Sequence, residues 1–430
     1  MAQQQTGPGG DAGPDQGPKL HVGLVHWSFP PCVGGVETHL WDFSRALAGR
    51  GHQVTVFTGS VGACSPCDGV RVLRHPLLDL SAERPDDDAS MRRLCTWFQQ
   101  VCTDPDAPVH LIHGHNLHHF SSAPARALHT LKQELGLVLL HTYHSIWRTP
   151  EDEELARTCA VWDVHHAVSD FLVKACTDVL GEAAHVDRTY LGVNTGAYLG
   201  IPDLDEAERH PVVLLPARLI PNKGAKVAIR MLKHLVVLAE KSPRADSPRP
   251  RLVLTDPFDT VDFHGERGSF RDELSRLVKE FGLSEGQDVE FRPAGIDDMR
   301  KLYEEATVVV YPSRFDEPMG LAPLEAMCAA RPVVATGVGG LGEGGSTLVA
   351  PDADEEELAS RFAREVWRLL VVPAEARAAG RRAREHVRDR FDLERVYVEP
   401  MLAEYGRLVR GTGQAGTSGG HRRSTARQHV

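Results

Sequence analysis

VVVYPSRFDEPMGLAPLEAMCAARPVVAT, residues 308–336, decides the fold. Its apolar opening predicts a buried strand over 307–313 and its close a second over 331–337. Between them Pro323 is tolerated in the first turn of a helix, where its missing N–H costs nothing, so a helix carrying Leu324 to Ala330 is predicted to begin near Ala322. Strand, helix and strand in so short a span form the repeating unit of a parallel sheet.

The same alternation extends to both sides. Strands are expected over 19–27, 54–59, 109–115, 136–144 and 164–170, and again over 211–219, 251–256 and 288–295. Helical spacing marks Val36, Leu40, Phe43 and Leu47 in the first half, and 224–240, 267–281, 297–306 and 357–370 in the second. The fold class is therefore α/β, with two doubly wound domains in tandem, 19–205 and 206–390, facing across a cleft. A chain of 430 residues fits this division, since single cores stop growing beyond roughly 250–300 residues. Residues 391–409 read as a terminal helix, and the Gly/Ser/Gln/Arg-rich ends, 1–18 and 411–430, as disordered tails.

Composition narrows the function classes. Hydrophobic content of 42% and charged content of 25% are ordinary for a soluble globular protein, and no apolar run is long enough to span a membrane. The amino terminus lacks the apolar core of a signal peptide, which points to the cytoplasm and reduced thiols. Residues 1–205 carry 14 Lys+Arg against 24 Asp+Glu, the remainder 34 against 35. Such an acidic first half argues against nucleic acid and an anionic bilayer, and for a neutral or cationic small partner. Of eight cysteines, only Cys64 and Cys67 form a tight pair, with no second pair at metal-ligand spacing.

In doubly wound sheets ligands lie beyond the carboxyl ends of the strands. At those places the first half offers Gly34 and Gly35, His113 and His115, and His144. The second offers Arg218, Lys223, the loop before Pro323, and Gly339 with Gly340. Glycine pairs, helix N-termini and two cations around one cleft describe a diphosphate site. The amides of Met319, Gly320 and Leu321 are expected to face it. Glu317 on the loop and Glu325, expected in the first helical turn, would be repelled by phosphate and are expected to accept from sugar hydroxyls. Sixteen of 22 histidines fall in the first half, and His113, His118, His119, His165 and His166 read as core or surface groups. HGHNLHH, residues 113–119, lacks an acid or cysteine at suitable spacing, so no zinc site is expected there.

Together these residues carry a resemblance. Glu317 and Glu325 reproduce the E-x7-E arrangement of retaining glycosyltransferases of family 4, which have the GT-B fold. PPCVGGVETHLWDFSRALAGRGHQVTVFT, ARLIPNKG and VGGLGE are similar to that family's other motifs in order and spacing. The resemblance spans roughly 20–410. It implies that Glu325 holds the ribose of a nucleotide sugar, and that Glu317 with Met319, Gly320 and Leu321 holds the donor sugar and phosphate. It further implies that Arg218 and Lys223 grip the diphosphate, that Gly34 and Gly35 approach it from the first domain, and that His144 lies beside the donor sugar with Glu37 at the cleft edge. The terminal helix would cross back onto the first domain. PARL, LTDPFDT and LGVNT depart from the family pattern, the second where the nucleotide base is expected.

The activity so implied is retaining hexosyl transfer to a hydroxyl, with no required cofactor or metal and a diphosphate that helps take the acceptor's proton. UDP-N-acetylglucosamine or UDP-glucose is the expected donor. Helix 36–50 lacks a basic run, and DLSAERPDDD and PEDEELA suit an amine, so the expected acceptor is small, soluble and cationic, such as an aminocyclitol in antibiotic biosynthesis. The rival readings are a GDP-mannose-dependent mannosyltransferase acting on a glycan or lipid, a nucleotide-sugar epimerase, and a catalytically silent sugar-nucleotide-binding protein.

Overall fold

The structure, a computed structural model, describes residues 18–59, 69–204, 211–242, 249–256 and 267–417. Two all-parallel sheets organise it. The first takes β1 (His21–Val25), β2 (Gln53–Thr58), β3 (Val70–Arg74), β4 (Leu111–His115), β5 (Val138–Tyr143), β6 (Val164–Ala167) and β7 (Val186–Arg188), in the order β3-β2-β1-β4-β5-β6-β7. The second takes β8 (Val212–Leu215), β9 (Arg251–Thr255), β10 (Val289–Arg292), β11 (Val308–Tyr311), β12 (Val333–Thr336) and β13 (Thr347–Val349), in the order β10-β9-β8-β11-β12-β13.

Central strands are buried on both faces, as the five buried residues of β1 and the four of β8 show; β8 is an unbroken apolar run, whereas β1, β4 and β5 of the first sheet carry buried histidines. In the first sheet Val22 of β1 pairs with Val54 on one side and Leu111 on the other. Strand order reverses between β1 and β4, and between β8 and β11. At such switch points the connecting loops part in opposite directions and leave a crevice. The loops after β1 and β4 carry Gly34, Gly35 and Asn116; those after β8 and β11 carry Arg218, Lys223 and Glu317.

Differences from the sequence reading lie at the edges. Strands β3, β7 and β13 were not anticipated; all three are terminal strands of their sheets, and two are only three residues long. The helix expected from Ala322 begins at Leu321 and runs to Cys328, so Glu325 is its fifth residue and lies beyond the first turn. The chain recrosses where Val193 and Leu393 exchange backbone contacts: Val193 N donates to Phe391 O and Leu393 N to Val193 O. A wide π turn, Glu394–Val398, leads into the helix Glu399–Thr417, so 411–417 are helical rather than a tail. That turn and helix close the first domain's core: Tyr405 hydroxyl, on the helix, lies 2.6 Å from His113 Nδ1, and Tyr397 hydroxyl, on the turn, 3.2 Å from Thr142 Oγ1. The tails 1–17 and 418–430, the Cys64–Cys67 pair, most of LTDPFDT and the junction 205–210 lie outside the described residues.

Gly224, which follows Lys223, has φ +79°, and a Cβ on it would lie 1.9 Å from Pro312 O. Gly224→Ala is expected to cost about 2–4 kcal/mol through left-handed strain plus a backbone clash. Denaturant unfolding of the variant checks this, and an unchanged midpoint would contradict it.

Candidate active site

One cavity of about 880 Å³ lies between the sheets; Glu37 and the ten residues predicted to hold the donor or take part in transfer line it, whereas His113, His115, Gly339 and Gly340 do not. The first domain contributes Gly34, Gly35 and His144; the second contributes Arg218, Lys223, Glu317, Met319, Gly320, Leu321 and Glu325. On the second domain's side, Lys223 ends a turn of 3-10 helix, and its Nζ is 2.6 Å from Glu317 Oε1. Lys223 also donates to the Tyr311 hydroxyl at 3.2 Å, and Ser313 Oγ donates to Glu317 at 3.0 Å. Burial opposes the Lys223 charge, but Glu317 and Tyr311 outweigh it and raise its pKa. The sequence reading assigned Glu317 to hydroxyls alone; the structure also gives its carboxylate a cation.

The glycines divide by role. Gly320 precedes the helix Leu321–Cys328 in the left-handed region, at φ +87°. Gly339 and Gly340 do not line the cavity. A Cβ on either would lie within 2.3 Å of the backbone of Glu317 or Pro318, and Gly340 N donates to Glu317 O at 2.7 Å. They brace the acidic loop from behind. By contrast a Cβ on Gly35 would meet open space, and one on Gly34 would collide with the Glu37 carboxylate.

The first domain's wall is rich in imidazole. His115 Nδ1 lies 2.9 Å from His144 Nε2, and both groups are buried. His39, which the sequence reading did not single out, packs beside them, and one nitrogen from each of the three falls within 4.8 Å of the others. A three-imidazole metal site needs nitrogens about 3.3 Å apart and a partner for each outer nitrogen. Here both His39 nitrogens and His115 Nε2 are buried without a hydrogen-bond partner among the described residues. Burial and neighbouring imidazoles hold His115 and His144 well below the usual histidine pKa, so both are neutral. An orphaned lone pair costs less than an orphaned N–H, which places the His115 proton on Nδ1. His144 Nε2 then accepts, and His144 Nδ1–H is left as a donor. Glu37 accepts from Ser28 Oγ and lies 3.7 Å from His26 Nε2; burial opposes its ionisation, but these partners prevail and lower its pKa.

Direct contacts join the two sides. Ser169 Oγ donates to Pro318 O at 2.5 Å. Glu343 accepts from the amides of Asp170 and Phe171, at the start of the helix Asp170–Leu180, at 2.8 and 2.9 Å.

Comparison with known proteins fits this geometry. Residues 33–197 match Glycosyltransferase Family 4, and residues 210–366 match Glycosyl transferases group 1. The chain belongs to the family 4 glycosyltransferases. It is 27% identical to D-inositol 3-phosphate glycosyltransferase of Salinispora tropica, over 95% of this chain and 90% of that one. Its fold, GT-B, is similar to that of sucrose-phosphate synthase from Thermosynechococcus elongatus (TM-score 0.70, 21% identity, 93% and 99% of the two chains). It is also similar to an Anabaena protein solved with UDP and glucose (TM-score 0.64, 18% identity, 93% and 100%).

In this glycosyltransferase the second acid, Glu325, has a different environment from Glu317. It accepts from the Tyr303 hydroxyl at 2.8 Å and bonds to Tyr198, neither of which the sequence reading foresaw. Burial, with help from Asp42, pushes its pKa up to about 7. A carboxyl whose folded pKa exceeds its ordinary value destabilises the fold as pH rises from about 4.5 to about 7, because ionisation is opposed in the native state. Glu325→Gln removes that ionisation. The variant should melt close to the wild type at pH 5 and above it at pH 8. Thermal unfolding at the two pH values is the measurement, and a Tm difference independent of pH would contradict the assignment.

Proposed function

We propose that the protein is a retaining hexosyltransferase that moves a hexosyl group, N-acetylglucosaminyl or glucosyl, from a uridine diphosphate sugar to a hydroxyl of a small polyhydroxylated acceptor. The observation that carries the reading is the convergence of Arg218, Lys223 and the loop 317–321, from one sheet's switch point, on the wall opposite His144 and Gly35. In this reading Arg218 and Lys223 neutralise the leaving diphosphate, and the amides of Met319, Gly320 and Leu321 add the positive end of a helix dipole. Open space beside Gly35 admits a phosphate close to backbone.

Glu325 accepts from the ribose diol. Glu317, held by Lys223, accepts from hydroxyls of the donor sugar, and the His144 Nδ1–H donates to a sugar oxygen. Both acids belong to the donor half of the cleft, where neither is placed to attack the anomeric carbon as the nucleophile of a retaining hydrolase does. The bond from the anomeric carbon to the diphosphate oxygen breaks while the acceptor oxygen bonds on the same face. The acceptor's proton passes to the departing phosphate oxygen. The name of the Salinispora relative supports a cyclitol acceptor, the UDP-bound Anabaena neighbour supports a uridine donor, and the acidic first half supports an amine-bearing one, such as the aminocyclitols of antibiotic biosynthesis.

The test is nucleotide release from UDP-N-acetylglucosamine, UDP-glucose and GDP-mannose, with and without myo-inositol or 2-deoxystreptamine. Release that depends on acceptor and gives a product with retained configuration is expected. Epimerised sugar without transfer, or no turnover with any pair, would contradict the reading. Arg218→Ala should lower kcat/KM by about 10²–10³, the loss typical of a removed transition-state charge partner. A change under threefold would exclude Arg218 from that role.

A further inference from the structure

The loop that carries His144 also carries Trp147, and the His-rich stretch 113–119 fixes both in place. Asn116 Oδ1 accepts from the amides of His144 and Ser145, at 2.7 and 3.2 Å, and Asn116 Nδ2 donates to Ser145 Oγ at 3.1 Å. His118 Nε2 lies 2.9 Å from Ser145 O, and His119 Nε2 lies 3.0 Å from Ser145 Oγ. Trp27 in turn donates from Nε1 to Asn116 O at 2.9 Å and meets the Phe120 ring edge-on. Two consecutive loops are thus tied together by five hydrogen bonds converging on residues 144–145, which is more order than a simple connection needs.

What this frame presents is a single indole. Trp147 stacks on His119, with centroids 4.0 Å apart and planes at 27°, and meets the edge of Phe120 at 5.3 Å. It is nevertheless 40% exposed, the only aromatic among the large apolar side chains left exposed in the described residues, and it lines the cavity. One face is covered by the His119 imidazole, and the part of the ring left exposed belongs to a residue that lines the cavity three positions from His144. An exposed tryptophan normally represents wasted burial, so a rigid backing ring and a network behind it mark a surface shaped for contact.

We propose that Trp147, backed by His119, is a stacking platform for the acceptor, and that it selects acceptors presenting a saturated six-membered ring with one hydrogen-rich face. The inference rests on the transferase reading and names the substrate class of its acceptor side. Axial C–H groups of a pyranose or cyclitol carry partial positive charge and fit the negative face of the indole. Their equatorial hydroxyls remain free at the ring's edge, within a cavity that also holds the ionised Glu37. An open-chain polyol has the same hydroxyls but must freeze its backbone rotations to offer a comparable face, so it binds more weakly. Trp147 is a specificity residue here, since it touches the acceptor ring and no reacting atom.

The experiment is saturation-transfer NMR on the full-length protein saturated with UDP, using myo-inositol, methyl α-D-glucopyranoside and sorbitol as probes. The two rings should receive saturation, strongest on the protons of one face, and sorbitol should receive clearly less. Trp147→Ala should weaken ring binding by about tenfold, the scale of one lost aromatic contact, whereas Trp147→Phe should stay within about threefold. UDP affinity should be unchanged in both variants, which also reports that they fold. Ring binding preserved in Trp147→Ala, sorbitol binding equal to that of the rings, or no ring binding by the wild type overturns the platform. Failure of the wild type to bind UDP would instead remove the uridine-donor reading beneath it.

Discussion

A carboxylate with 3% of its surface exposed must be met by positive charge or lose its own, and Glu317 is met by Lys223. The pair ties the loop after β8 to the loop after β11 across the switch point of the second sheet. The rest of the second domain's wall follows from that tie. Gly224 lets the chain turn beneath Pro312 immediately after the lysine, and Gly339 and Gly340 press against the backbone of Glu317 and Pro318 from the other side. The loop is clamped between a cation and two glycines, and the helix that follows is aimed into the cleft.

Such a pair also stores reactivity. Its geometry is complete without a ligand, so a diphosphate bound as proposed would compete with Glu317 for the lysine rather than find a free cation. The lysine can be shared between them, and negative charge growing on a leaving phosphate then strengthens a contact already in position. Glu325 shows a second form of storage. Burial, with Asp42 nearby, lifts its pKa to about 7 despite the hydrogen bond from Tyr303, and a ribose diol would supply hydrogen bonds to the ionised form. Groups arranged for a partner rather than for the fold's own stability are what binding sites contain.

Much of this was legible in the sequence because the relevant signals are local. Val308–Tyr311, a glycine with a proline three residues on, and Val333–Thr336 fix a strand, a helix start and a strand without reference to the rest of the chain. Alternation along the chain then fixes the switch points, and these bring ten of the predicted residues to the cavity wall. What escaped notice depends on distant contacts. Strands such as Val186–Arg188 are too short and polar to declare themselves. Tyr198 and Tyr303 reach Glu325 from separate elements. His39 joins His115 and His144 only because a helix packs on the first sheet, and the histidines of 113–119 were read singly although four residues of that stretch bind the next loop. Glu325 falls just past the first turn rather than in it because the helix begins one residue earlier, at Leu321, with Pro323 as its third residue.

The most direct test of the central claim, that the Lys223–Glu317 clamp and Arg218 form the diphosphate seat, is a crystal structure of the protein with UDP bound. The account predicts both phosphates in the cleft, with oxygens within about 3.2 Å of Lys223 Nζ and the Arg218 guanidinium and the ribose hydroxyls on Glu325. A nucleotide bound elsewhere, or one in the cleft whose phosphates bypass both cations, would contradict it.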